Sequence, residues 1–160
     1  MWTSIIVGAT LVAQVFCACS NGWIAHQSSC YKFATDIENW SAARQLCKWH
    51  SSDLMAIETE SEQRWFHTQA LTFNHTDGDQ GFWISGSDWN QDKHWIWEST
   101  GAALTYQTWG FQQPNYRNGS EHCLAALKVF DYKWSDEFCD WDRLQYVCEK
   151  SSTSGGAIVG

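Results

Sequence analysis

Seven cysteines stand at positions 17, 19, 30, 47, 123, 139 and 148 of a 160-residue chain. Whether they are cross-links depends on where the chain is made. Residues 5–16 carry no charged side chain and are, Gln14 apart, apolar or small, and the run ends at Cys17-Ala18. That is the pattern of a secretory signal peptide over residues 1–18. A membrane-spanning anchor is the rival reading, but it needs about 20 apolar residues, and this run stops at Ser20-Asn21. No membrane span is therefore expected. Cleavage after Cys17 or after Ala18 removes Cys17 and leaves Cys19, Cys30, Cys47, Cys123, Cys139 and Cys148. An even set in a secreted, extracellular chain implies disulfides, although six cysteines allow about 15 pairings and spacing does not choose among them. Zinc is not expected, because the set holds no C-x-x-C pair and His67, His75, His94 and His122 show no ligand-like spacing with one another.

The charge balance excludes one large class of partner. Ten Lys and Arg face 18 Asp and Glu, a formal charge of -8, whereas binding a nucleic-acid backbone requires clustered cations. No nucleic-acid partner is expected. Hydrophobic residues make up 44% of the chain, enough for a packed core in a single domain. The domain is assigned to residues 19–150. Residues 151–160, which follow the last cysteine and show no periodicity, are expected to form a flexible tail.

Between residues 35 and 49, Trp40, Ala43, Leu46 and Cys47 recur at the spacing of an amphipathic helix. Thr59 and Glu62 fit a capping box in front of Trp65, Phe66 and Ala70, which predicts a second, shorter helix. Beyond Gly81 the pattern turns to short β-rich runs at 82–84, 94–97, 104–106, 123–129, 132–134 and 146–148. Helices early and strands late define an α+β class. Between Trp109 and Glu121 lies a polar stretch with neither period, and a long loop in a compact domain points to a functional role.

That loop carries Gln113-Pro114-Asn115, followed by Glu121-His122-Cys123, and later Trp134-Ser135-Asp136 and Cys139. Calcium takes six to eight oxygens, and amide carbonyls serve as well as carboxylates. Gln113, Asn115, Glu121 and Asp136 offer four such oxygens. Pro114 is the only proline, and a cis bond before it would turn the flanking side chains toward one point.

With these motifs in view, the chain resembles the C-type lectin domain over about residues 19–150. The resemblance rests on Trp83-Ile84-Ser85-Gly86, the Gln-Pro-Asn loop, Glu121-His122-Cys123, Trp134-Ser135-Asp136 and the order of the cysteines. Within the family the chain is most similar to secreted single-domain invertebrate lectins, including the perlucin-like proteins of molluscs. The resemblance implies bridges Cys19–Cys30, Cys47–Cys148 and Cys123–Cys139. It implies two helices and two small antiparallel sheets with a long calcium- and sugar-binding loop. It also carries the calcium ligands onto Gln113, Asn115, Glu121, Ser135 and Asp136. Gln113 replaces the Glu typical of mannose binders, and Ser135 replaces Asn. An auxiliary calcium position would use Asp88, Asp92, Tyr116 and His122; Tyr116 and His122 stand where the family has carboxylates, so this position is expected to be absent.

The implied ligand is a glycan. Carbohydrate contacts are assigned to Gln113, Asn115, Glu121, Asp136 and Tyr116, with a lean to mannose-type sugars because Asn115 is kept. Tyr116 either packs on a sugar or anchors the loop. His122 is expected to be a solvated loop histidine rather than a pH switch. Trp83, Trp95, Trp97, Trp109 and Trp134 are assigned to the core. Asn39, Asn74 and Asn118 open N-glycosylation sequons. No G-x-S-x-G, H-E-x-x-H or Walker pattern occurs, so an enzyme is not expected. The expected function is calcium-dependent glycan recognition in innate defence. The alternative is a matrix or biomineral-associated protein without sugar binding. Self-association into a homo-oligomer would add avidity.

Overall fold

The computed structural model describes residues 17–75 and 80–154. The expected signal segment up to residue 16, Thr76 of one sequon and the end of the expected tail from residue 155 lie outside the described residues.

In chain order the elements are β1 (Cys17–Ala18), β2 (Ile24–His26), β3 (Ser29–Phe33), α1 (Trp40–Trp49), β4 (Asp53–Leu54), α2 (Glu60–Thr72), β5 (Gly81–Ser87), β6 (Ile96–Trp97), β7 (Glu121–Leu127), β8 (Lys133–Phe138), β9 (Gln145–Ser151) and β10 (Thr153–Ser154). The main sheet runs β2-β3-β9-β5-β7-β8, with β4 added on β9 and β6 on β5. One antiparallel group gathers β2, β3 and β4 around β9, and the other gathers β6, β7 and β8 around β5. A single parallel contact, β5 to β9, joins the two groups. The class is α+β, as the sequence predicts.

Several boundaries differ from the sequence reading. The helix expected from residue 35 begins at Trp40, because Ala34 and Glu38 donate their amides to Tyr146 and Leu144 and so hold residues 34–38 against the C-terminal strand. Asn39 then caps the helix, its Oδ1 accepting from Ala42 N at 2.9 Å. The capping box of Thr59 and Glu62 is present. However, α2 has 13 residues against 10 in α1, so it is the longer helix. The strand expected over 104–106 does not form; next to it only Ala103 bridges, to Ile96. Beyond residue 150, Ser151 closes β9 and Thr153–Ser154 pair with Cys17–Ala18.

Two apolar layers sandwich the sheet, and the two-residue period of the strands sorts side chains between them. Phe82, Ile84, Leu124, Ala126 and Val147 enter the layer that holds Phe66, Trp97 and Trp134. Trp83, Ala125, Leu127, Tyr146 and Cys148 enter the layer beneath α1 with Trp40, Ala43 and Cys47. Each fully buried Phe or Ile contributes about 1.5–3 kcal/mol. The buried indoles also find acceptors: Trp83 donates to Glu38 O at 2.8 Å, Trp40 to Ile84 O at 2.9 Å and Trp134 to Gln63 Oε1 at 3.0 Å. Of the five tryptophans assigned to the core, Trp109 is only partly buried. Trp141 is also half-buried, whereas Trp89 is exposed.

The bridges are Cys19–Cys30, Cys47–Cys148 and Cys123–Cys139, the pairing that the resemblance implies. Cys47–Cys148 fastens α1 to β9, and Cys123–Cys139 ties the start of β7 to the residue after β8.

Candidate functional site

The polar loop is anchored at its start by β8. Trp134 N donates to Thr108 O, and Gly110 N donates to Trp134 O at 2.7 Å. A side chain at Gly110 would collide with the Phe130 ring, since an added Cβ would lie 2.6 Å from Phe130 Cγ. Glycine is therefore what lets the loop cross there. A turn follows, closed by Gln113 N on Gly110 O, with Gln112 at φ 60°. The Gln113-Pro114 bond is cis.

Asp136 holds the middle of the loop. It is fully buried in β8, and its Oδ1 accepts from Asn115 N at 2.8 Å while Oδ2 accepts from Tyr116 N at 2.6 Å. Glu121, buried at the start of β7, accepts from Arg117 N through Oε2 at 2.9 Å. The two carboxylates thus grip consecutive stretches of one loop from two paired strands. Asn115 Nδ2 donates to Gln113 Oε1 at 3.0 Å, so the amides flanking the proline face each other.

Burial pushes the carboxyl pKa values of Asp136 and Glu121 upward, against the pull of the backbone amides they accept from. Neighbouring charge adds to this: Asp88 acts on Asp136, and Asp136 acts on Glu121. Mutual repulsion of buried carboxylates is what a divalent cation relieves. The donor set fits calcium on the same ground. Each carboxylate oxygen can accept more than once, and among the described residues Glu121 is hydrogen-bonded through Oε2 alone. The loop they hold also carries the side-chain amides of Gln113 and Asn115, and two negative charges balance one divalent ion.

Ser135 stands apart from this group. It is fully buried, and its hydroxyl donates to Glu137 Oε1 at 2.7 Å. Tyr116 packs against the core, its hydroxyl accepts from Trp95 Nε1 at 3.4 Å, and the Lys93 ammonium sits over its ring at 5.2 Å. These contacts are those of a loop anchor. Asn118 is exposed on the same loop, Asn74 is exposed, and Asn39 serves as the cap of α1.

Of the auxiliary set, Asp88, Asp92 and His122 converge, with ligand atoms within 4.8 Å of one another. His122 is therefore not a solvated loop side chain: it is 21% exposed, and its Nδ1 lies 2.8 Å from Asp88 Oδ1. Sequence reasoning also passed over Phe111, 81% exposed at the turn before Gln113. A large apolar ring set between Gly110 and Gln112 in a polar loop was the available signal.

Residues 36–150 match the family described as the lectin C-type domain. A perlucin-like protein from Mytilus galloprovincialis is 29% identical over 133 residues, spanning 81% of this chain and 81% of its own. The mouse scavenger receptor C-type lectin carbohydrate-recognition domain superposes with a TM-score of 0.73 at 28% identity, over 85% of this chain and 100% of that chain. A calcium-independent type II antifreeze protein superposes with a TM-score of 0.72 over 85% of this chain and 96% of its own, and at 24% identity it shares the fold alone.

Proposed function

The chain belongs to the C-type lectin domain family, a family of binding modules rather than enzymes, and we propose that it is a secreted, calcium-dependent lectin. The observation that carries this reading is the pair of buried carboxylates, Asp136 and Glu121, joined to one polar loop and pushed upward in pKa by burial and by nearby carboxylates. Gln113, Asn115, Glu121 and Asp136 would hold the ion, with Ser135 contributing least because Glu137 engages its hydroxyl. When bound, calcium supplies an exposed coordination face for neighbouring sugar hydroxyls. The chain's own part is to orient them.

A hydroxyl on such an ion is best served by donating to a carboxylate and accepting from an amide. Asn115 and Gln113 supply the amides, and Glu121 and Asp136 the carboxylates. Retention of Asn115 favours a mannose-type diol. Tyr116 holds the loop and offers the sugar only what Lys93 and the core leave of its ring. The biological role that follows is glycan recognition in innate defence, with self-association raising the avidity of a single weak site. Three disulfides support an extracellular location.

One observation favours a second reading. Asn115 Nδ2 is spent on Gln113 Oε1 rather than on a ligand. A matrix or biomineral-associated protein with an idle sugar position would look the same there. Glycan-array binding with calcium and with chelator separates the two. The lectin reading expects mannose-type signals that vanish in chelator; binding that never appears, or that persists in chelator, contradicts it.

A further inference from the structure

We propose that Asp88, Asp92 and His122 form a second metal site, selective for a borderline divalent cation of the zinc class. It is distinct from the calcium position around Asp136. Its ligands come from two chain segments that the sheet brings together. Asp88 follows the last residue of β5, His122 is the second residue of β7, and Asp88 N donates to His122 O at 3.2 Å. Asp92 returns on the loop between β5 and β6. Asp88 is 1% exposed and fixed, since its Oδ2 accepts from Lys93 N at 2.7 Å.

The distances suit a small ion. His122 Nδ1 lies 2.8 Å from Asp88 Oδ1 and 3.9 Å from Asp92 Oδ1. Zinc bonds of roughly 2.0–2.2 Å in a tetrahedron place ligand atoms about 3.3–3.6 Å apart. The two observed separations straddle that value. The Asp92 side chain, 82% exposed, has the freedom to close in. Without an ion, the short Asp88 to His122 contact is a hydrogen bond; with one, the imidazole nitrogen must give up its proton to become a ligand.

The donor types set the metal class. Calcium gathers six to eight oxygens, whereas an imidazole nitrogen beside two carboxylates suits zinc and its neighbours. Tyr116, whose hydroxyl is engaged by Trp95 Nε1, adds no fourth charged oxygen. Two carboxylates and a neutral imidazole balance a divalent charge. The indole of Trp89 packs edge-on to the His122 ring at 5.5 Å. The same ring lines a cleft of about 370 Å³ with Trp89, Ser120, Phe138 and Asp140. Of the three ligands, His122 is thus the one that borders this cleft.

Equilibrium dialysis of the full chain against micromolar zinc, in millimolar calcium, tests the site. About one zinc per chain should be retained. Asp92→Asn, which alters an exposed side chain, and His122→Gln should each weaken uptake on the order of tenfold or more. His94→Gln and Asp136→Asn should leave it unchanged. The Asp136 variant separates this proposal from the lectin reading, because zinc uptake should survive the loss of calcium-dependent sugar binding. Failure to take up zinc, or uptake undiminished by both Asp92→Asn and His122→Gln, would overturn the site and leave the Asp88 to His122 contact as a structural hydrogen bond.

Discussion

Asp136, buried in β8, accepts the backbone amide of Asn115 through Oδ1 at 2.8 Å, and this bond fastens the polar loop to the sheet. The second oxygen takes Tyr116 N. One carboxylate thus positions the loop and belongs to the proposed calcium shell. In Asp136→Asn the new side chain keeps one oxygen, so one of the two amides loses its acceptor. The expected cost is about 1–3 kcal/mol, read by urea denaturation without calcium, together with loss of mannose binding. Unchanged stability would mean that the loop is held by other contacts.

The junction of α1 and β4 should respond to acid. Asp53 accepts from Arg44 Nε at 3.0 Å and pairs with Lys48 Nζ at 2.7 Å. Burial works to raise its pKa, and the hydrogen bonds from Arg44, Lys48 and the Leu54 amide overcome that and lower it. An unfolded aspartate titrates near pH 3.9, so the unfolded chain binds the proton first as pH falls. The stabilisation is complete above about pH 4 and fades as pH drops toward the depressed folded value. Asp53→Asn should therefore be less stable than the parent near neutrality, with the gap narrowing below about pH 4. A gap that stays constant in urea melts down to pH ~3 would contradict this.

The disulfides should differ in worth. Cys47–Cys148 spans 101 residues and Cys123–Cys139 spans 16. Loop-closure entropy gives about 4.7 kcal/mol for a 100-residue loop and about 3 kcal/mol for a 15-residue one. Thermal melts should show the double substitution of Cys47 and Cys148 by Ala costing more than that of Cys123 and Cys139. The reverse order would point to a denatured state already compact around α1 and β9.

Gly86 should resist enlargement. A Cβ there would lie 2.6 Å from Leu124 Cδ2 and 2.9 Å from its Cβ. Leu124 is itself fully buried and has little room to yield. Gly86→Ala is expected to cost about 1–3 kcal/mol through overpacking, measured by chemical denaturation; a neutral result would show that β5 and β7 can separate slightly at their bulge.

Local chemistry made part of this molecule legible in sequence. Thr59 and Glu62 announced α2 because a capping box is written within four residues, and the β-rich run Phe82-Trp83-Ile84 marked β5. Strand β4 was not visible, since Asp53–Leu54 is too short to show a period and exists by pairing with β9. The start of α1 was misplaced because residues 34–38 are held by Tyr146 and Leu144, more than a hundred positions away. At the site, Gln113, Asn115, Glu121 and Asp136 stood in recognisable motifs. The engagement of Ser135 by Glu137 needed coordinates, because a serine can bond either neighbour or ligand. His122 and Asp88 are 34 positions apart, so local spacing does not join them, and in sequence they were grouped only through the family resemblance.

Calorimetric titration of calcium into the full chain and into Glu121→Gln tests the central claim most directly. The account predicts a site of modest affinity, with Kd on the order of 10⁻⁴–10⁻³ M, that is lost in the variant and whose occupancy switches on mannose binding. No calcium binding, or identical binding by the parent and the variant, would contradict it.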